Sequence, residues 1–181
     1  MSIFEDSVDW QQRVENKGRF AQDIRTAYRE SLTKKGPAQI DFPRDNLYGE
    51  EEYDILQPHQ YRQTEIGGAA ESEVQSAVET IEEAENPAII AGLGVIYSDA
   101  VDEVAELAEA LNAPVANSYL HNDSFPISHD LAVGALGYGG SKAAMELLKD
   151  ADTVVAVGSR LSGFGLLPQY GIDWFPHDAD I

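Results

Sequence analysis

Short, continuous apolar runs recur along the second half of the chain, at 88–92, 114–117 and 153–158, and each opens into a polar or glycine-rich loop. Between them the apolar positions switch to helical spacing: Val74, Val78 and Ile81 mark one face, and Val101, Val104, Ala108 and Leu111 mark another. Ser98 or Asp99 is the expected N-cap of that second helix, and a short helix is expected from Ser141 to about Lys149. Strands alternating with helices imply parallel pairing, because parallel neighbours need a crossover. The pattern therefore predicts an α/β fold, a Rossmann-like parallel sheet with helices on both faces. In such a sheet the loops after the strands emerge at one edge, where ligands bind. Tyr119, His121, Asn122, Asp123 and Arg160 are accordingly expected to be neighbours there, with Ser141 and Lys142 at the next helix start.

The first third reads differently. Residues 1–16 are polar and give no clear element. Phe20, Ile24, Tyr28 and Leu32 then repeat every four residues, predicting a helix that Lys34-Lys35-Gly36-Pro37 ends. Ala38-Gln39-Ile40-Asp41-Phe42 alternates like a strand, closed by Pro43. Residues 46–70, with Pro58 and the Gly67-Gly68 pair, lack periodicity and read as a linker. The division expected is thus 1–45, a linker at 46–70, and a domain over 71–181. The last residues, Asp178-Ala179-Asp180-Ile181, look like the approach to a further strand, so that domain is expected to be truncated at its C-terminal end.

Charge narrows the partners. The chain holds 32 acids against 12 Lys plus Arg, a formal net charge of −20. Such a surface repels nucleic acid and anionic membrane. Residues 63–181 carry only Lys142, Lys149 and Arg160 against twenty acids. A high-salt cytoplasm explains this simply; a basic partner docking on the acidic half is the alternative. The chain has no cysteine, no apolar run of membrane-spanning length and no signal-peptide pattern at its start, which together predict a cytoplasmic protein.

Several motifs invite stronger readings. Gly92-Leu93-Gly94 follows a strand, but Tyr97 stands where a dinucleotide fingerprint needs its third glycine, so a tight turn is the better reading. Gly139-Gly140-Ser141-Lys142, in the glycine-rich segment that begins at Gly134, has Ser and Lys in the wrong order for a phosphate loop, and no clear strand precedes it. Two readings stay open there, an anion held by free helix N–H groups or simple N-capping by Ser141. His121, Asp123 and His129 could form a metal set, although loop histidines more often serve hydrogen bonding. Tyr170, Trp174 and Phe175 are expected to pack as core or interface.

The run from Gly36 to Asp45 (GPAQIDFPRD) resembles the last strand of the pyrimidine-binding domain in thiamine-diphosphate enzymes of the acetolactate synthase superfamily. Residues 134–161, with ADTVVAVGSRL, resemble the central domain of the same superfamily. Three longer runs, NSYLHNDSFP at 117–126, GYGGSKAAM at 137–145 and LPQYGIDW at 167–174, are similar to its sulfoacetaldehyde acetyltransferase subfamily. The resemblance implies thiamine diphosphate and a divalent cation, usually Mg2+, in the complete enzyme. It also implies the anionic substrates sulfoacetaldehyde and phosphate, converted to acetyl phosphate and sulfite. FAD is not expected in this subfamily, which leaves Arg160 as a structural residue or a substrate contact. The family's catalytic glutamate belongs to a segment these residues do not match, and no Gly-Asp-Gly metal motif occurs in them.

The resemblance therefore implies the end of a pyrimidine-binding domain at 1–45 and most of a central domain at 71–181. No catalytic residue, cofactor site or metal site is expected within this chain. The missing domains or a homo-oligomer partner would complete it. Two other readings are a standalone Rossmann-like nucleotide-binding module and a non-catalytic subunit of a split enzyme.

Overall fold

The computed structural model describes residues 2–61 and 67–181, in two compact units that meet between Gly68 and Ala69. In the first unit, strand β1 (Trp10–Arg13) runs parallel to β2 (Ala38–Asp41), with helix α1 (Phe20–Lys34) as the crossover. Strand β1 lies in the polar stretch that shows no clear element by pattern. Its only large apolar residue is Trp10, and it is held by pairing with β2 and by Gln12, whose Nε2 donates to buried Asp23 Oδ1 at 3.0 Å.

Helix α1 ends as its sequence predicts, with Lys35 in the left-handed conformation at φ 56°. Its apolar row packs unevenly. Phe20 meets the Phe42 ring at 4.9 Å, whereas Ile24, Tyr28 and Leu32 remain 39%, 61% and 43% exposed. Asp23 and Ala27 are the helix residues that bury instead.

The stretch read as a linker is not uniform. Asn46 Nδ2 donates to the Val14 carbonyl, Lys17 pairs with Glu51, Tyr53 Oη donates to the Lys17 carbonyl, and Arg25 donates to the Asp54 carbonyl. These contacts tie residues 46–54 to the first unit, while residues 62–66 of the expected linker lie outside the described residues.

The second unit opens with α2 (Glu71–Glu82), an amphipathic helix none of whose residues is buried. A four-stranded sheet follows, in the order β5-β4-β3-β6, built from β3 (Pro87–Ala91), β4 (Val115–Asn117), β5 (Ala132–Ala135) and β6 (Thr153–Val157). Every pairing is parallel. Successive residues of β3 point to opposite faces, and the two cores follow that alternation. Ile89 and Ala91 pack with Val95 of α3 (Leu93–Tyr97) and with Val104 and Ala108 of α4 (Val101–Leu111). Ala88 and Ile90 pack with Met145 and Leu148 of α5 (Lys142–Lys149) and with Trp174. The expected helices on both faces are present.

Three local expectations need correction. Neither Ser98 nor Asp99 caps α4: its N-cap is Ala100, and Asp99 sits at φ 54°, turning the chain out of α3. A strand, β5, does precede the glycine-rich segment 136–140. Tyr170 is 59% exposed, while Trp174 is fully buried and Phe175 packs against the same core. At the end of the chain Asp180 bridges to Thr153, with Val154 N donating to the Asp180 carbonyl at 2.8 Å.

The glycines after β3 and β6 have a packing reason. A Cβ on Gly94 would lie 2.6 Å from Gly158 Cα, and Gly158 itself has φ +62°. No side chain fits where these two loops cross, and the crossing sets the loop after β6 directly beside the loop after β3.

Candidate functional site

The carboxyl ends of β3, β4 and β6 deliver their loops to one cleft of about 90 Å³. Ile90, Leu136 and Leu166 give it an apolar lining, and Ser118, Tyr119 and His121 enter from the loop after β4. Ser159, Arg160 and Ser162 enter from the loop after β6. The Tyr119 ring stacks on Phe164 at 5.8 Å, joining the two loops across the opening. Ser159 Oγ accepts the Leu161 N–H at 3.2 Å, which shapes the turn that carries Arg160. Among the described residues no carboxylate pairs with the Arg160 guanidinium, so its charge stands available at the cleft. One cation, several hydroxyls and an imidazole over an apolar lining can receive a small oxyanion.

Of the expected site residues, the structure brings Tyr119, His121 and Arg160 together at this cleft. Asn122 and Asp123 share the loop but are exposed, and the Asn122 carbonyl accepts from Asn117 Nδ2 at 3.3 Å. Ser141 Oγ accepts the Ala144 N–H at 3.2 Å, so its hydroxyl is engaged as the N-cap of α5. Lys142 is the exposed first residue of that helix. Neither lines the cleft, contrary to the expected grouping with His121.

His121, Asp123 and His129 do not form a metal set. His129 Nδ1 accepts the Leu131 N–H at 3.2 Å, so Nε2 carries the ring hydrogen and faces Glu109 Oε1 at 3.3 Å. Among the described residues no three His, Asp or Glu side chains gather where they could hold a metal ion. Ser118, Ser159 and Ser162 carry no signal in the sequence; serines at strand ends have no distinctive spacing, and only the loop paths aim them inward.

This architecture, a parallel sheet whose carboxyl-edge loops build the cleft, defines a class. The chain belongs to the family described as thiamine pyrophosphate enzyme, central domain, whose model matches residues 74–181. Over all 181 residues it is 44% identical to sulfoacetaldehyde acetyltransferase from Alcaligenes xylosoxydans xylosoxydans, covering 30% of that protein. It is also 44% identical over its full length to the Castellaniella defragrans protein of the same name, again covering 30% of it. The chain thus spans about a third of the length of these relatives. Benzoylformate decarboxylase from Polynucleobacter necessarius shares the fold, with a TM-score of 0.72 at 23% identity over 95% of this chain and 32% of that one.

Proposed function

We propose that these residues belong to a thiamine-diphosphate-dependent sulfoacetaldehyde acetyltransferase, which converts sulfoacetaldehyde and phosphate to acetyl phosphate and sulfite in the cytoplasm. The observation that carries this reading is the 44% identity, over the entire chain, to enzymes of that name. Residues 1–45 would close its pyrimidine-binding domain, 46–70 would connect, and 71–181 would form its central domain. In this reading thiamine diphosphate and Mg2+ sit in other parts of the protein or its oligomer.

The role assigned to this chain is at the carboxyl-edge cleft. Both substrates are anions, and Arg160 is one of only three cations among residues 63–181. Its place beside His121 and the cleft serines supports a contact with sulfonate or phosphate. The experiment that tests the assignment is exchange. These 181 residues replace the matching segment of the Alcaligenes acetyltransferase, and both products are then assayed.

The acidity belongs to the same proposal as adaptation to high salt. With twenty acids and three cations on residues 63–181, self-repulsion opposes compaction in dilute buffer. The Debye length falls from about 30 Å at 0.01 M to about 3 Å at 1 M. The melting temperature of the chain is expected to rise steadily across that range. A flat profile removes the salt adaptation.

A further inference from the structure

The loop carrying Tyr119 and His121 is fastened from beneath by two buried polar side chains that the proposed function does not use. Asn117, 3% exposed, ends β4, and Ser124, fully buried, lies seven residues further on. The Ser124 hydroxyl sits 2.8 Å from the Ala91 carbonyl, 2.9 Å from Asn117 Oδ1 and 2.7 Å from the His121 carbonyl. Its single hydrogen is shared among three oxygens, one from the end of β3, one from the end of β4 and one from the loop. Asn117 Nδ2 donates to the carbonyls of Asn122 and Phe125, at 3.3 and 3.2 Å. The loop backbone adds Ser118 N to the Ala91 carbonyl, His121 N to the Ser118 carbonyl and Ser124 N to the His121 carbonyl.

Buried side chains with this many hydrogen bonds hold a geometry rather than merely fill space, because a buried polar group deprived of its partners costs more than a single bond contributes. The geometry they hold is unusual. Leu120, 75% exposed, sits at φ +67°, a conformation that a leucine does not choose by itself. That turn places Tyr119 and His121 at the cleft while Leu120 points away from it.

We propose that Asn117 and Ser124 are positioning residues, which hold Tyr119 and His121 at the cleft in the arrangement that receives a tetrahedral oxyanion beside Arg160. The inference rests on the reading of the cleft as the meeting point with an anionic substrate. A sulfonate and a phosphate share this chemistry: three peripheral oxygens that accept hydrogen bonds from donors fixed on different sides. Arg160 supplies the charge from the β6 loop, and the fastened β4 loop supplies donors from the opposite side. Loosening the knot leaves the charge in place and blurs the donors.

The cleft residues named above lie on this chain, and the test uses the full 181-residue chain with inorganic phosphate. The readout is the His121 ring Cε1–Hε1 NMR signal, assigned through His121→Gln, during a phosphate titration. In the unaltered chain the signal is expected to move saturably. In Ser124→Ala it is expected to start displaced, with the apparent Kd raised at least tenfold, and Ser124→Cys, which keeps the shape and a weak donor, is expected to fall between the two. Circular dichroism establishes that each variant is folded. If Ser124→Ala is not, Ser124→Cys and Asn117→Asp carry the same comparison. Unaltered signal and Kd in folded variants overturn the positioning role and leave the cleft reading standing. A phosphate-insensitive signal in the unaltered chain defeats the cleft reading, and the positioning role falls with it.

Discussion

Replacing Trp174 by alanine is expected to destabilise the second unit by about 3–5 kcal/mol, a large share of what a domain of this size has. Trp174 is fully buried against Met145, Leu148, Leu136 and Ile90, the core under the α5 face of the sheet. Its indole Nε1 donates to the Leu167 carbonyl at 3.1 Å, and its ring meets Phe175 edge-on at 6.0 Å. The substitution leaves a cavity the size of an indole and a carbonyl without its donor. Trp174→Phe refills most of the volume and is expected to cost less than half as much. Urea unfolding followed by circular dichroism checks both. A loss below about 1 kcal/mol for the alanine variant would mean that the segment after β6 is not part of this core.

That segment also shows how far the sequence could be read. Strands β3, β4 and β6 were legible because a strand buried on both faces is a continuous apolar run between breakers. Strand β5 was not: Ala132-Val133-Gly134-Ala135 has a glycine at φ +97° and forms the edge of the sheet. Strand β1 has one large apolar residue, and only its partner β2 and the Gln12–Asp23 hydrogen bond make it a strand. Helix α1 was plain from its four-residue repeat, but a repeat reports periodicity and not what covers it. Ile24, Tyr28 and Leu32 therefore surface where burial was the natural expectation.

The site divides in the same way. Topology alone put the β4 and β6 loops at the same edge of the sheet, on either side of β3. Which of their side chains face the cleft depended on loop conformation, such as the left-handed Leu120 between Tyr119 and His121. The same loop turns Asn122 and Asp123 to solvent. Asn117 read as the end of a strand and Ser124 as an ordinary polar loop residue, since nothing in a polar sequence distinguishes a buried knot from a solvated turn.

In the Alcaligenes acetyltransferase with these residues exchanged in, Arg160→Ala is expected to raise the apparent KM for sulfoacetaldehyde or phosphate by about tenfold or more. A charge-assisted hydrogen bond contributes about 1.5–3 kcal/mol, and the exposure of Arg160 places the effect at the lower end through solvent screening. One factor of ten in KM corresponds to about 1.4 kcal/mol. Loss of a contact to the bound anion registers in KM, and kcat is expected to fall with it, since the sulfonate leaves as sulfite and the phosphate gains the acetyl group. Arg160→Lys keeps the charge but not the planar fork, and it should recover part of the loss. If Arg160 only braces its loop, the melting temperature falls while both KM values stay where they were.

The assignment as a whole is tested most directly by stoichiometry in the exchanged enzyme. The Alcaligenes acetyltransferase, with these 181 residues in place of its matching segment, is supplied with thiamine diphosphate, Mg2+, sulfoacetaldehyde and phosphate. Sulfite and acetyl phosphate are then measured together. The account predicts that both appear, in equal amounts. A folded, cofactor-loaded exchanged enzyme that releases neither, beside an unexchanged one that releases both, contradicts it.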